Sequence, residues 1–159
     1  MYELVSEIDV KAPVATVQAI LTDFASYPKW TGAARVTEKP DDPTRITYVI
    51  RVIFGGSPEK PWAFPGHLTI NHPPNVIGWR LGVLGFLVIE MHYAFVWTNG
   101  ATHVRHVVRF KGLLPALSEK RFRRVFQPVM DRILSDLAVR ARQASRQLGT
   151  ASRGRPRRR

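Results

Sequence analysis

Phe86-Leu87-Val88-Ile89-Glu90-Met91-His92-Tyr93-Ala94-Phe95-Val96-Trp97-Thr98-Asn99-Gly100-Ala101-Thr102-His103-Val104-Arg105-His106-Val107-Val108-Arg109-Phe110-Lys111 is the stretch on which the fold turns. Residues 86–98 and 101–111 read as strands. The Asn99-Gly100 pair between them suits a type I′ turn, whose two central residues need positive φ. Setting Thr98 opposite Ala101 fixes the register by counting. Tyr93 then faces His106, Phe95 faces Val104, Met91 faces Val108 and Ile89 faces Phe110. These eight share one mostly apolar face, expected to be concave and inward. The opposite face sets Glu90 against Arg109, Ala94 against Arg105 and Val96 against His103, and a Glu–Arg pair on a wet face supports the register. A slip of one residue would turn His103, Arg105 and Arg109 inward, so the register is strongly specified.

Upstream, residues 2–10 alternate, with Tyr2, Leu4, Ser6, Ile8 and Val10 on one face, as a half-buried strand does. Pro13 suits the first turn of a helix, where its missing N–H costs nothing. Val14, Val17, Ala19, Ile20 and Leu21 give that helix an apolar face, and Asp23 is placed to cap a second short helix over residues 24–30. Ile46, Tyr48, Ile50, Val52 and Phe54 mark the inner face of another strand, closed by Gly55-Gly56-Ser57-Pro58. Residues 62–71 make the next, with Phe64, Leu68 and Ile70 on one face. After a turn at Asn71-His72-Pro73-Pro74-Asn75, Ile77, Trp79 and Leu81 define the next apolar face. Gly82-Val83-Leu84-Gly85 reads as a bend or bulge between strands.

From Ser118, a candidate N-cap, the period becomes helical. Phe122, Val125, Phe126, Val129, Met130, Ile133, Leu134, Leu137 and Ala138 form one apolar stripe. Pro128 lies inside it and predicts a kink between two nearly collinear segments. The helix is expected to fade near Gly149. The pattern therefore predicts one α+β domain over residues 1–148 and a disordered, Arg-rich tail over 149–159. A sheet of six to seven antiparallel strands with one apolar face needs a cover. The C-terminal helix is the only long amphipathic element available for it.

The chain has 159 residues, suited to one domain, and no cysteine, which excludes disulfides, thiolate metal sites and cysteine nucleophiles. No apolar run reaches the length of a membrane span. The N-terminus lacks the basic-then-apolar pattern of a signal peptide, so a cytoplasmic location is the expectation. The net charge of +12 is uneven. Residues 1–116 carry 11 Lys+Arg against 9 Asp+Glu, a net of +2, while residues 117–159 carry 13 against 3, a net of +10. The basicity belongs to the C-terminal helix and tail, and bears on partners or solubility rather than on fold.

Ala12-Pro13-Val14-Ala15-Thr16-Val17-Gln18-Ala19-Ile20-Leu21-Thr22-Asp23-Phe24-Ala25-Ser26-Tyr27-Pro28-Lys29-Trp30 resembles the opening of the START-like, polyketide-cyclase/dehydrase-type proteins, the superfamily of the birch-pollen allergen. Arg105-His106-Val107-Val108-Arg109-Phe110-Lys111-Gly112-Leu113-Leu114 resembles that family's last strand and the Gly-Leu turn before its helix. The resemblance covers roughly residues 3–146. It implies a helix-grip fold, in which a curved antiparallel sheet and a long helix hold an apolar ligand between them. Two departures stand out: Pro128 within the helix, and Val108 where many relatives carry an acidic residue. Both favour an apolar ligand or a smaller, filled cavity.

The expected ligand-facing residues are Tyr48, Ile50, Phe64, Leu68, Ile77, Trp79, Met91, Tyr93, Phe95, Val104, His106, Val108, Phe126, Met130 and Ile133. Among them His106 and Tyr93 are the polar groups. Either they orient a ligand carbonyl or hydroxyl, or they satisfy each other across the hairpin as core residues. Trp79 is expected on the inner wall, Trp30 near the helix pair, Trp97 on the inner face but close to the rim, and Trp62 at the cavity mouth. No metal or cofactor is expected: His103 and His106 point to opposite faces, and His67 and His72 have no carboxylate or cysteine companions. Nucleophile elbows, phosphate loops and dinucleotide fingerprints are absent from the sequence, and Glu38, Asp41, Asp42, Glu59 and Glu119 compose no acid/base pair.

Three functions follow from these residues. The first is binding of a small hydrophobic molecule: a lipid, an aromatic polyketide or an isoprenoid. The second is an aromatase/cyclase-type enzyme acting on a polyketide-like chain, with His106, Tyr93 and the Arg80 region as its only candidate groups. The third is an interaction module in which Arg153, Arg155, Arg157, Arg158 and Arg159 contact an anionic partner. A solvated end that aids solubility is the alternative for that tail. The oligomeric state is left open.

Overall fold

A computed structural model describes residues 1–53, 57–69, 76–83 and 85–153. Seven strands form one antiparallel sheet: β1 (Tyr2–Val10), β2 (Ala34–Lys39), β3 (Asp42–Val52), β4 (Lys60–Thr69), β5 (Val76–Val83), β6 (Leu87–Thr98) and β7 (Ala101–Lys111). Their order is β1-β7-β6-β5-β4-β3-β2, so the first strand lies beside the last. The β6–β7 hairpin has the register that counting gives, from Thr98 opposite Ala101 to Ile89 opposite Phe110. Asn99 and Gly100 take φ of 51° and 76°, the positive pair a type I′ turn requires. All eight inward residues of the hairpin are buried.

One expected contact differs. Glu90 and Arg109 are cross-strand neighbours, but Arg109 turns to Glu3 at 2.7 Å, and Glu90 takes Lys111 at 2.8 Å and Arg80 at 3.9 Å. β1 pairs with β7 on its other side, and it brings a second row of acids within reach of the β7 arginines.

Helix α1 (Val14–Thr22) starts one residue after Pro13 and buries Val17 and Leu21. Ala19, expected on its apolar face, is exposed. Residues 24–30 are not one helix. A 3₁₀ turn over Phe24–Ser26 passes into a single α-helical turn, α2 (Tyr27–Trp30). Pro28 has no N–H to continue the first turn's ladder. The Asp23 side chain makes no capping bond. β2 and α3 (Leu113–Leu117) were not read from the pattern, because both are short and β2 buries only Ala34 and Val36.

Helix α4 (Glu119–Arg153) crosses the concave face as one element. It continues through Pro128, which faces solvent, and past Gly149, where the pattern put its end. Ser118 precedes it, and the Ser118 carbonyl accepts from Arg121 N and Phe122 N at 3.0 and 3.1 Å. Val125, Phe126, Val129, Met130, Ile133, Leu134, Leu137, Ala138 and Ala141 are buried against the sheet, which makes this stripe the main source of the helix's stability. Polar contacts fix its azimuth. Ser6 Oγ donates to Asp131, Gln127 Nε2 donates to the Val5 carbonyl at 3.2 Å, and Thr31 Oγ1 donates to Asp136 at 2.8 Å. Phe54, Gly55, Gly56, Ile70, the Asn71–Asn75 turn with His72, Leu84, and Arg155, Arg157, Arg158 and Arg159 lie outside the described residues.

Candidate functional site

The expected ligand-facing residues come together on one face. Tyr48 and Ile50 stand on β3, Phe64 and Leu68 on β4, and Ile77 and Trp79 on β5. Met91, Tyr93 and Phe95 stand on β6, and Val104, His106 and Val108 on β7. Phe126, Met130 and Ile133 descend from α4. Twelve are buried, and Phe64, Leu68 and Ile77 are half-buried against the same core. Alternation set by the β6–β7 register propagates through β5 (Trp79 opposite Met91) and β4 (Leu68 opposite Trp79), so one turn aligns the whole wall.

The aromatic residues divide into two groups. In the first, Trp79 packs against Phe24, Tyr48 and Tyr93 with ring centroids 6.2, 5.6 and 5.7 Å apart, and Tyr93 lies on His106. In the second, Phe110 contacts Tyr2, Phe122 and Phe126 at 4.8, 5.5 and 4.9 Å, and Phe126 reaches Phe64 at 6.4 Å. The first group carries ring nitrogens and hydroxyls. The second is almost entirely hydrocarbon.

His106 and Tyr93 do not satisfy each other by a hydrogen bond. Their rings stack face to face, with centroids 4.0 Å apart and planes 9° from parallel. Both His106 nitrogens and Trp79 Nε1 are buried without a hydrogen-bond partner among the described residues. Burial drives the His106 pKa down from 6.5 to about 3, with nearby His92 adding to the effect. The imidazole is therefore neutral at pH 7, with one N–H donor and one acceptor nitrogen available. Burial likewise holds the Tyr48 and Tyr93 phenols protonated, far above their ordinary range, and the Tyr27 hydroxyl donates to the Leu21 carbonyl at 2.8 Å.

A pocket of about 370 Å³ opens beside the hydrocarbon group, lined by Trp62, Leu114, Ser118, Arg121, Phe122, Val125 and Phe126. Trp62, expected at a cavity mouth, is one of the residues lining this pocket. Leu114, Ser118, Arg121, Phe122 and Val125 had not been assigned to a site, although the apolar stripe already contained Phe122 and Val125. Trp30 packs on Tyr27 at 4.8 Å and lines a separate groove between α1 and α4. Trp97 is 54% exposed at the far hairpin end. Arg80 faces outward to Glu90, and His103 bonds Asp9 at 2.8 Å on the outer face. Among the described residues, no cluster of three His, Asp or Glu side chains converges on a metal position. No described helix is long and apolar enough to cross a membrane.

Residues 1–142 match the family model for polyketide cyclase / dehydrase and lipid transport. The chain belongs to that family. No curated protein matches its sequence. A START superfamily protein from Mycobacterium smegmatis is 16% identical with a TM-score of 0.67, over 91% of this chain and 99% of that one. The ZhuI aromatase/cyclase from Streptomyces sp. R1128 is 14% identical with a TM-score of 0.62, over 89% and 94%. StfQ, a di-domain ARO/CYC of the steffimycin biosynthetic pathway, is 16% identical with a TM-score of 0.63, over 89% of this chain and 51% of that one. At these identities the likeness is one of fold.

Proposed function

We propose that this protein binds a small hydrophobic molecule of lipid, aromatic polyketide or isoprenoid type between the sheet and α4. The observation that carries this reading is the set of three buried, unpartnered nitrogens on Trp79 and His106, within a wall whose other polar side-chain atoms are the Tyr48 and Tyr93 hydroxyls. A buried polar atom without a partner costs about 1–3 kcal/mol, and a ligand oxygen or hydroxyl placed there recovers it. The apolar remainder of the ligand supplies affinity, at about 25 cal/mol for each Å² removed from water. His106 is neutral and so can both donate to and accept from a ligand without a counter-ion. The fifteen wall residues named above, Tyr48 through Ile133, are the proposed contacts. The family's description fits this reading in its lipid-transport half.

Native mass spectrometry of freshly purified protein, followed by organic extraction, tests it. The expected result is a stoichiometric apolar adduct that is lost in a Trp79→Phe, His106→Phe variant with unchanged folding. An adduct retained in that variant at full occupancy would move the ligand away from these nitrogens.

The aromatase/cyclase reading draws support from the family and from the likeness to ZhuI and StfQ. Its strongest candidate group, His106, is a weak base at neutral pH when its conjugate acid titrates near 3. Its role there would be to hydrogen-bond a ketone, not to remove a proton. Unchanged product formation by His106→Ala would remove it from that chemistry.

A further inference from the structure

Several connections meet at the end of the sheet where α4 begins. The strand registers place the ends of β3, β5 and β7 and the starts of β4 and β6 at that end. Large apolar side chains project there. Phe86 in the β5–β6 turn is 63% exposed, Leu113 and Leu114 at the start of α3 are 66% and 48% exposed, and Ile53 after β3 is 65% exposed. The backbone segments that carry Phe86 and the two leucines adjoin each other. Leu114 N donates to the Phe86 carbonyl at 3.2 Å, and a Cβ on Gly112 would stand 2.5 Å from that same oxygen. Gly112 also takes φ of 112°, so glycine alone lets the two connections close on each other. Exposed apolar surface of this kind marks an interaction site.

The charge around it is one-sided. Residues 111–124 hold five cations (Lys111, Lys120, Arg121, Arg123 and Arg124) and one anion, Glu119. The nearby acids are already engaged: Glu119 with Arg123 at 3.6 Å, Glu90 with Lys111 at 2.8 Å, and Glu59 with Arg132 at 3.3 Å. Lys60, Lys120 and Arg124 are exposed and have no acidic partner among the described residues.

We infer that this rim docks on an anionic lipid bilayer. Phe86, Leu113 and Leu114 enter the boundary between headgroups and acyl chains, and Lys60, Lys120 and Arg124 lie among the phosphates. Apolar side chains flanked by unpaired cations match an interface whose hydrocarbon lies beneath a layer of negative charge. Nucleic acid offers the phosphates without the hydrocarbon. Leu114 also lines the pocket of about 370 Å³, so that pocket opens at the docked rim.

Co-sedimentation of the full chain with vesicles tests this, using phosphatidylcholine alone and phosphatidylcholine mixed with phosphatidylglycerol. Binding is expected only with phosphatidylglycerol and should weaken as salt is added. Phe86→Ser with Leu113→Ser, and separately Lys120→Glu with Arg124→Glu, should each weaken it at least about ten-fold while leaving thermal unfolding unchanged. Arg142→Glu with Arg146→Glu, near the far end of α4, should leave binding as it is. The inference is overturned if the native chain does not bind, or if both rim variants bind normally. It also fails if only the Arg142, Arg146 variant loses binding, which would assign the affinity to the C-terminal arginines. Duplex DNA binding that needs Lys120 and Arg124 but not Phe86 and Leu113 would replace the bilayer with nucleic acid.

Discussion

The two aromatic groups on the concave face are built from similar volumes and opposite chemistry. Around Phe110, hydrocarbon rings meet edge to face and stacked, and nothing in Phe64, Phe110, Phe122 or Phe126 needs a hydrogen bond, although the Tyr2 hydroxyl at the margin of the group is also buried without a partner among the described residues. Around Trp79, every ring but Phe24 brings a polar atom into the interior, and the Trp79 and His106 nitrogens have none of the partners such atoms normally find among the described residues. The first group holds the fold together. The second leaves buried nitrogens unpartnered, which is the cost that the proposed ligand would offset. On that proposal, stability and binding are divided between neighbouring parts of one wall.

The sharpest way to break this division is Phe110→Ala. Phe110 is fully buried among three rings, and its truncation should destabilise the protein by about 3–5 kcal/mol, read from the denaturant midpoint. A loss under about 1 kcal/mol would mean that the hydrocarbon group is not the packed half.

Acid titration probes the other half. The His106 pKa is 6.5 in the unfolded chain and about 3 when folded, so only the unfolded state takes up the proton between those values. Stability should be complete above pH 6.5 and fall by about 1.4 kcal/mol per pH unit as pH drops below it. His92, also lowered chiefly by burial, adds a slope of the same sign. In His106→Phe the slope between pH 6 and 5, above the carboxylate range, should shrink to what His92 leaves. An unchanged slope there would place His106 in contact with solvent.

Trp79→Phe separates the halves more finely. It removes an unpartnered N–H but also shrinks a fully buried ring packed on three others, so the unliganded protein should lose about 1–3 kcal/mol, less than Phe110→Ala, while ligand occupancy falls. Ligand occupancy unchanged in that variant would detach the Trp79 nitrogen from binding. Glu3→Gln on the outer face sets the baseline for both groups. The Glu3–Arg109 pair is about 40% exposed on each side, and losing it should cost at most about 0.5 kcal/mol, vanishing in high salt.

The sheet was legible where chemistry alternates cleanly. Asn99-Gly100 specifies a turn, a turn specifies a register, and His106, Tyr93 and Trp79 fall inside by counting alone. What stayed hidden depends on tertiary neighbours. β2 has too few apolar residues to announce itself, and Pro128 looks like a break because only the burial on both sides of it keeps α4 continuous. Arg109 chose Glu3 over Glu90 because β1 returns beside β7, a pairing 106 residues apart that no local pattern contains. The stacking of Tyr93 on His106 was equally unreadable. Register places two rings opposite each other, but the surrounding packing decides whether they meet by face or by hydrogen bond.

The seven strands leave two open margins, β1 and β2, and each is guarded against recruitment of a foreign strand. Along β1, the Gln127 amide already occupies the Val5 carbonyl, and Ser6 is tied to the helix above it. β2 is only six residues long, shifts register between Glu38 and Lys39, and carries Arg35, Glu38 and Lys39 outward. Short, bulged and charged margins discourage the edge-to-edge assembly that seeds aggregates. An open sheet of seven strands thus carries its own protection at both margins, without the closure that a barrel would provide.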